Sequence, residues 1–361
     1  MSRNLRSVYD GLYVGIDNLQ LSLGAARSGR AYARSLPMNP EVAEKYNTVI
    51  RPYWKQFNVR TPKKYWFRLF ANEHKPFSEK YIPDDLWYRR IVPHFNNLLF
   101  AAALQDKCLL DENFPGIRHP VTPVRNVFGT FYDRDMHLLT ASEAARLCLH
   151  RGRILVKPSV GSGEGRGINF YDSDAMTEED MLRIFSQYGK NFLVQEKLRQ
   201  HTDLARLSGG SVNTLRINTF LFKNEVRILS TILRTGGTDS EVDNTARGGY
   251  QCQILPDGHL GPVGFTHHDD RWEYVDAFPT GVRFADVVIP SFDRAVALAK
   301  SMAVRTGHFR IIGWDIAVAE DGEPVMLEYN VIPGQDQETN GPTFGDLTDE
   351  VLAEVFGRRK G

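Results

Sequence analysis

The sequence predicts an α+β protein in which antiparallel sheet with packed helices follows a helical region, and three observations predict it. Residues 1–115 show few strand-like alternations and many helix formers, broken at Pro37, Pro40, Pro52, Pro62, Pro76, Pro83 and Pro93. Between Arg125 and Leu198, short apolar alternations trade places with capped helical patterns. From residue 211 onward alternating apolar runs dominate, with turn residues between them.

The elements follow in order. Residues 1–115 read as several short helices. Within them LLFAAALQDKCLLDENF (98–114) predicts a helix ended by the turn residues of FPGIRHPVTP. RNVFGTFYD predicts a strand or hairpin. TASEAARLCLHRG predicts a helix starting at Thr140 or Ser142 and stopped at Gly152. RILVKPS is a strand entering a glycine-rich stretch, and GINFYDS is the returning strand. TEEDMLRIFSQYG is a helix capped by Thr177 and stopped at Gly189, and NFLVQEKL is a further strand. VNTLRINTFLF, EVRILSTILRTG and GGYQCQILPDGHLGPVGFT are strands, the last turning at Pro256-Asp257-Gly258. PSFDRAVALAKSMAVRTG (290–307) is an amphipathic helix. RIIGWDIAVAEDGEPVMLEYN is a hairpin turning at Glu320–Glu323, and FGDLTDEVLAEVFGRRK is a closing helix.

Bulk properties narrow the function. The chain has 361 residues, which argues for two or three packed subdomains. Lys+Arg and Asp+Glu both number 44, so no net field recruits nucleic acid or anionic membrane. The aromatics interleaved with Lys and Arg between Trp54 and Phe100 recur mostly at helical spacing, which favours core packing over a nucleic-acid surface. Cys108, Cys148 and Cys252 are too scattered for a disulfide framework or a cysteine zinc site, which fits a reducing compartment. The start MSRNLRSVYDGLYVG lacks a signal-peptide core, and no apolar run reaches membrane-spanning length. A cytoplasmic location is expected, without nucleic-acid or membrane partners.

ILVKPSVGSGEGRGINFY (154–171) carries the first chemical signal: Lys157, then glycines at 161, 163, 165 and 167. A Walker-type loop puts its lysine after the glycines and a helix behind them, and a dinucleotide-binding fingerprint also needs that helix. Here the lysine comes first and strand follows. What remains is a flexible hairpin whose N–H groups fold over phosphates beside a lysine on a rigid strand. The competing reading is an exposed glycine-rich hairpin with a solvated lysine.

Asp315 in IIGWDIAV and Glu328 with Asn330 in VMLEYN form the second signal. Glu328 and Asn330 are two apart, hence on one face of a strand, and a hairpin brings Asp315 to Glu328. Carboxylates in apolar strands are costly to bury unless paired or bound to a cation. Two carboxylates and an amide oxygen are hard donors that suit Mg²⁺. The competing reading is a pair of exposed edge-strand acids.

Weaker signals are Gln195-Glu196-Lys197 at a strand end, where an adenine edge could be read, and Asn213 with Arg216 in SVNTLRINTF. Arg216 suits a carboxylate or phosphate, with a structural ion pair as the competing reading. DNTARGGY adds Asn244 and Arg247. His267-His268-Asp269-Asp270 reads as a solvated loop, not a metal site.

In this order the features resemble the ATP-grasp superfamily. SVNTLRI, DNTARGG and GWDIAVAEDGEPVMLEYN are most similar to the sugar-transfer-associated ATP-grasp proteins, over roughly 100–345. The resemblance implies ATP held between two α+β subdomains, with the glycine hairpin as lid. It divides the chain after the helical N-terminal region at 1–100, which is read from its helix formers, into N-terminal and lid subdomains at 101–205 and a metal-binding subdomain at 206–361. Lys157 would contact the α/β-phosphates, and Lys107 matches an earlier ATP lysine. Gly161, Ser162, Gly163 and Gly165 would form the lid. Gln195, Glu196 and Lys197 would hold adenine and Asp203 the ribose. Asp315, Glu328 and Asn330 would bind one or two Mg²⁺. Arg216 and Arg247, with Asn213 nearby, would face the transferred phosphate. Some relatives carry an arginine two residues before the metal acid, where this chain has Gly313. Residues 1–100 match no feature of the superfamily.

The implied activity is an ATP-dependent carboxylate–amine ligase working through an acyl phosphate. Its carboxylate and amine substrates would be small molecules or an amino-acid-decorated glycan precursor, in a glycan or natural-product pathway. The alternatives are a kinase with a hydroxyl acceptor and a nucleotide-binding accessory protein without turnover.

Overall fold

A 33-residue helix, α1 (Arg3–Ser35), opens the chain in the computed structural model, which describes residues 3–72, 74–161, 165–237, 248–268 and 271–358. The length of α1 departs from the expected short helices, because no proline precedes Pro37 to break it. Gly29 lets α1 lie close on the helix Lys64–Phe70: a Cβ at 29 would sit 2.5 Å from the Trp66 ring. Beyond Pro37 the helices are short, as the prolines require. Trp54, Phe57, Trp66, Phe67, Phe70, Tyr81 and Trp87 are fully buried, in one core with Phe220, Ile311 and the closing helix Thr348–Phe356. The aromatics of the N-terminal region are therefore interior packing, and they tie it to the sheet behind. No described helix is long and apolar enough to cross a membrane.

The expected helix at 98–114 is broken into short turns at 98–100, 101–104, 107–109 and 110–113. Asp106 accounts for the break, since its side chain accepts from Cys108 N at 2.9 Å in place of helical continuation. The kink turns Lys107 inward, with its backbone N–H donating to Ser159 O at 3.1 Å.

Six strands form the first sheet: β1 (Val124–Val127), β2 (Thr130–Tyr132), β3 (Leu138–Leu139), β4 (Arg153–Pro158), β5 (Asn169–Asp172) and β6 (Phe192–Glu196), in the order β3-β2-β1-β6-β4-β5. Two helices lie on it, Ala141–Cys148 and Glu178–Tyr188, each started by a capping box at Thr140 and Thr177. The first ends at Cys148, ahead of the expected Gly152.

Seven strands form the second sheet: β7 (Thr214–Phe222), β8 (Glu225–Thr235), β9 (Tyr250–Ile254), β10 (Leu260–His268), β11 (Arg271–Val275), β12 (Ile311–Val318) and β13 (Pro324–Asn330). Their order is β11-β10-β9-β8-β7-β12-β13. His267 and His268 belong to β10 and pair with Trp272 and Arg271 of β11, so they lie on a strand and not in the expected loop. Asp269 and Asp270 lie outside the described residues. The helix Phe292–Ala303 covers this sheet, and every residue of β12 is buried.

The segment after β13 locks the N-terminal region to this sheet. Trp87 Nε1 donates to Pro333 O at 2.7 Å, and Gln337 exchanges hydrogen bonds with both backbone groups of Ile82.

Candidate active site

Three adjacent strands bring the second sheet's charged residues to one place. In β12, Asp315 stands opposite Arg216 of β7 on one side and Glu328 of β13 on the other. The period of two then puts Asn330 on the same face as Glu328. Arg216 grips Asp315 with two bonds, Nε to Oδ1 at 2.6 Å and Nη2 to Oδ2 at 2.9 Å. Asn330 Nδ2 adds a bond to Oδ2 at 3.3 Å, and Arg234 Nη1 stands 3.8 Å from Oδ1. Burial acts to raise the Asp315 pKa, but Arg216, with Arg234 behind it, holds the carboxyl below its ordinary range. Arg216 is held above its own range, because Asp315 outweighs the effect of burial. Lys107 Nζ reaches Glu328 Oε2 at 3.4 Å from the kinked 98–113 segment.

Gly313, two residues before Asp315, has no room for a side chain: its Cβ would lie 2.7 Å from Asn218 Oδ1 and 2.9 Å from Pro333 Cβ. An arginine is excluded there, and the cations beside Asp315 come from β7 and β8 as Arg216 and Arg234.

An ionised carboxylate offers about four lone-pair sites. Arg216 and Asn330 take three on Asp315, and Glu328 lies within hydrogen-bond reach of it. Glu328 pairs with Lys107 at 3.4 Å and is about one-third exposed, so its carboxylate is more open than that of Asp315. Among the described residues no three His, Cys, Asp or Glu side chains are grouped to hold a metal. The donor set Asp315, Glu328 and Asn330 is thus two acids and an amide, which fits a hard cation completed by phosphate oxygens and water.

Lys157 lies on β4 opposite Leu193 of β6, at the mouth of the glycine hairpin. Gly161, Gly165 and Gly167 have φ of +66°, +68° and +75°, a region that glycine enters without a Cβ penalty. Ser162 and Gly163 lie outside the described residues, as do Asn244 and Arg247. Gln195 is buried and donates to Thr122 Oγ1 at 3.0 Å, and Glu196 pairs with Arg151 at 2.7 Å. Lys197 lies over the Phe170 ring at 5.3 Å, and Asp203 is exposed beside His201. Asn213 is wholly buried one residue ahead of β7. Its Nδ2 donates to Leu204 O at 2.6 Å and its Oδ1 accepts from Ser211, so it braces the 201–213 segment.

A second group of acids lies beside Arg216 that sequence reading missed. Asp336 is buried and accepts from Asn218 Nδ2 and Ser230 Oγ, both at 2.8 Å. Burial pushes its pKa up, and also lifts Glu338 to about 8, helped by the charge of Asp336. Asp84, from the N-terminal region, accepts from Gln335 Nε2 at 2.6 Å. Burial raises it to about 7 against the lowering effect of that bond. The polar run GQDQETN after β13 was the available signal for two of these acids.

A cavity of about 1110 Å³ is lined by Lys107, Ser159, Gly161, Glu328 and Asn330, and also by residues of α1, Asp84 and Tyr88.

A family model for sugar-transfer associated ATP-grasp matches residues 88–342. A search of curated protein sequences gave no match. Among solved structures, the chain is similar to the ATP-grasp ligase PsnB complexed with minimal precursor: 14% identity, TM-score 0.41, covering 72% of this chain and 64% of that one. The match therefore spans less than two thirds of the PsnB chain. D-alanyl-alanine synthetase A from Vibrio cholerae is similar at 13% identity and TM-score 0.42, over 71% of this chain and 66% of that one. The D-cycloserine synthetase DcsG is similar at 19% identity and TM-score 0.40, over 71% of each chain.

Proposed function

We propose that this chain, which belongs to the sugar-transfer-associated ATP-grasp family, uses ATP and Mg²⁺ to join a carboxylate to an amine. One observation carries the reading: Lys107 reaches Glu328, a cross-strand neighbour of the Arg216–Asp315–Asn330 group, and Lys107, Glu328 and Asn330 line a cavity together with Ser159, Val160 and Gly161.

In this reading a substrate carboxylate oxygen attacks the γ-phosphorus of ATP, and the bond to the β,γ-bridging oxygen breaks to release ADP. The amine nitrogen then attacks the acyl carbon of the resulting acyl phosphate. The carbon–oxygen bond to phosphate breaks, and the nitrogen gives up a proton. Lys107 and Lys157 supply fixed positive charge to the phosphates, and Arg216 adds charge near the transferred group. Glu328, Asp315 and Asn330 are the residues that would hold Mg²⁺, whose bound charge neutralises phosphate oxygens. The glycine hairpin supplies N–H donors and shields the acyl phosphate from water. Gln195, Glu196, Lys197 and Asp203 stand at the strand end assigned to adenine and ribose. Asn213 acts by holding that segment in place.

The test is turnover: ATP and Mg²⁺ with pooled carboxylates and amines, following ADP, phosphate and product mass. Ligation requires both pools and yields an amide. A stable phosphorylated product formed without amine would replace this reading with a kinase. ATP binding without turnover in any pool would replace it with an accessory role.

A further inference from the structure

The cavity is lined by more than the metal and phosphate residues. Single-ligand pockets run to about 300–1,000 Å³, and this one measures about 1110 Å³. Its lining includes Lys107, Glu328 and Asn330, and also Ser28 of α1, Asp84 and Tyr88, the last three from the N-terminal region. The segment carrying Asp84 is firmly set, because Gln335 bonds both the Asp84 carboxylate and Ile82 O, and Gln337 bonds Ile82 on both backbone groups.

Resting on the ligase reading above, we propose that Asp84 is the recognition residue for the acceptor, and that the acceptor is an amine that binds as an ammonium ion. Three observations carry this. Asp84 lines the same cavity as Lys107 and Glu328, so a group bound to it shares a chamber with the reacting phosphate. Among the described residues the charges that act on Asp84 are those of Asp85 and Asp336, both negative, and its hydrogen-bond partner Gln335 is neutral. A buried carboxylate in that setting lacks the countercharge that burial demands, and an ammonium supplies it. Lys107, which suits phosphate and substrate carboxylate, lines the same cavity, so the cavity offers each sign of substrate charge a partner of opposite sign. Tyr88 and Ser28 add a phenol and a hydroxyl to the lining of the same cavity.

The experiment uses the full chain and three pairs of probes that differ in charge: putrescine against 1,4-butanediol, ethanolamine against ethylene glycol, and glucosamine against N-acetylglucosamine. Each is titrated calorimetrically with Mg²⁺ and a non-hydrolysable ATP analogue present. At least one amine is expected to bind tenfold or more tightly than its uncharged counterpart. Asp84→Asn, which keeps an oxygen acceptor for Gln335, is expected to reduce that preference below twofold, and Asp84→Glu to retain it. Equal binding within all three pairs overturns the proposal, as does a preference that survives Asp84→Asn. The wild-type comparison decides even where a variant fails to fold. Analogue binding without amine preference removes this inference and leaves the nucleotide reading standing; amine preference without analogue binding does the reverse.

Discussion

Arg216 and Asp315 are direct cross-strand partners on β7 and β12, joined by two parallel bonds of 2.6 and 2.9 Å with both side chains almost wholly buried. Removing either partner strands an uncompensated charge. Arg216→Ala is therefore expected to cost about 3–5 kcal/mol, read as a shifted midpoint in urea unfolding. Arg216→Lys keeps the charge but loses the fork, and is expected to recover only part of that loss. A cost under about 1 kcal/mol, the value of an exposed pair, would show that water reaches it.

Glu328 faces Lys107 at 3.4 Å and is about one-third exposed, so its ion pair contributes little to stability. Glu328→Gln is expected to lower ATP turnover by about 10²-fold or more, the scale of losing one electrostatic element of a phosphoryl-transfer site, while thermal unfolding stays nearly unchanged. Measured ADP release at the wild-type rate would remove Glu328 from the metal set.

Glu338 is held at about 8 by burial and by the charge of Asp336, against about 4.3 in an unfolded chain. Between those values the folded state binds the proton more tightly, so stability falls as pH rises through the window and levels off above it. Glu338→Gln removes that loss. The variant's unfolding temperature should exceed the wild type's most at alkaline pH, and the gap should close toward pH of about 4. Parallel melting curves across pH would contradict the burial of this carboxyl.

Gly161 and Gly167 both have left-handed φ, at +66° and +75°, but only Gly167 is crowded, with its Cβ position 3.0 Å from Pro158 Cγ. An L-residue pays about 1–2 kcal/mol for that conformation alone. Gly161→Ala should show that cost and Gly167→Ala more. Hydrogen exchange over residues 154–172 should report faster opening in the order wild type, Gly161→Ala, Gly167→Ala. The reverse order would mean that Pro158 yields without cost.

The sequence by itself determined most of the strands, the β4–β5 hairpin and the facing of Asp315 and Glu328. Each depends on a local period of two and a turn between neighbours, and local rules carry that far. It also pointed to aromatics packed inside the N-terminal region. It misjudged 98–114, where the Asp106 side chain competes with the backbone for a single hydrogen bond and breaks a helix that its apolar pattern favours. It misplaced His267 and His268, whose strand pairing depends on a partner, β11, that composition does not mark.

Tertiary structure decided what these elements meet. Arg216 could serve a phosphate or an ion pair in sequence; the register of β7 against β12 made it the partner of Asp315. Gly313 was an unexplained departure until Asn218 and Pro333 were seen to fill the space above it. Asp84 and Glu328 are 244 positions apart by number, yet they line one cavity because Gln335 and Gln337 dock the N-terminal region beside β13. Side-chain contacts across such separations follow from how layers pack, and no periodicity within a segment encodes them.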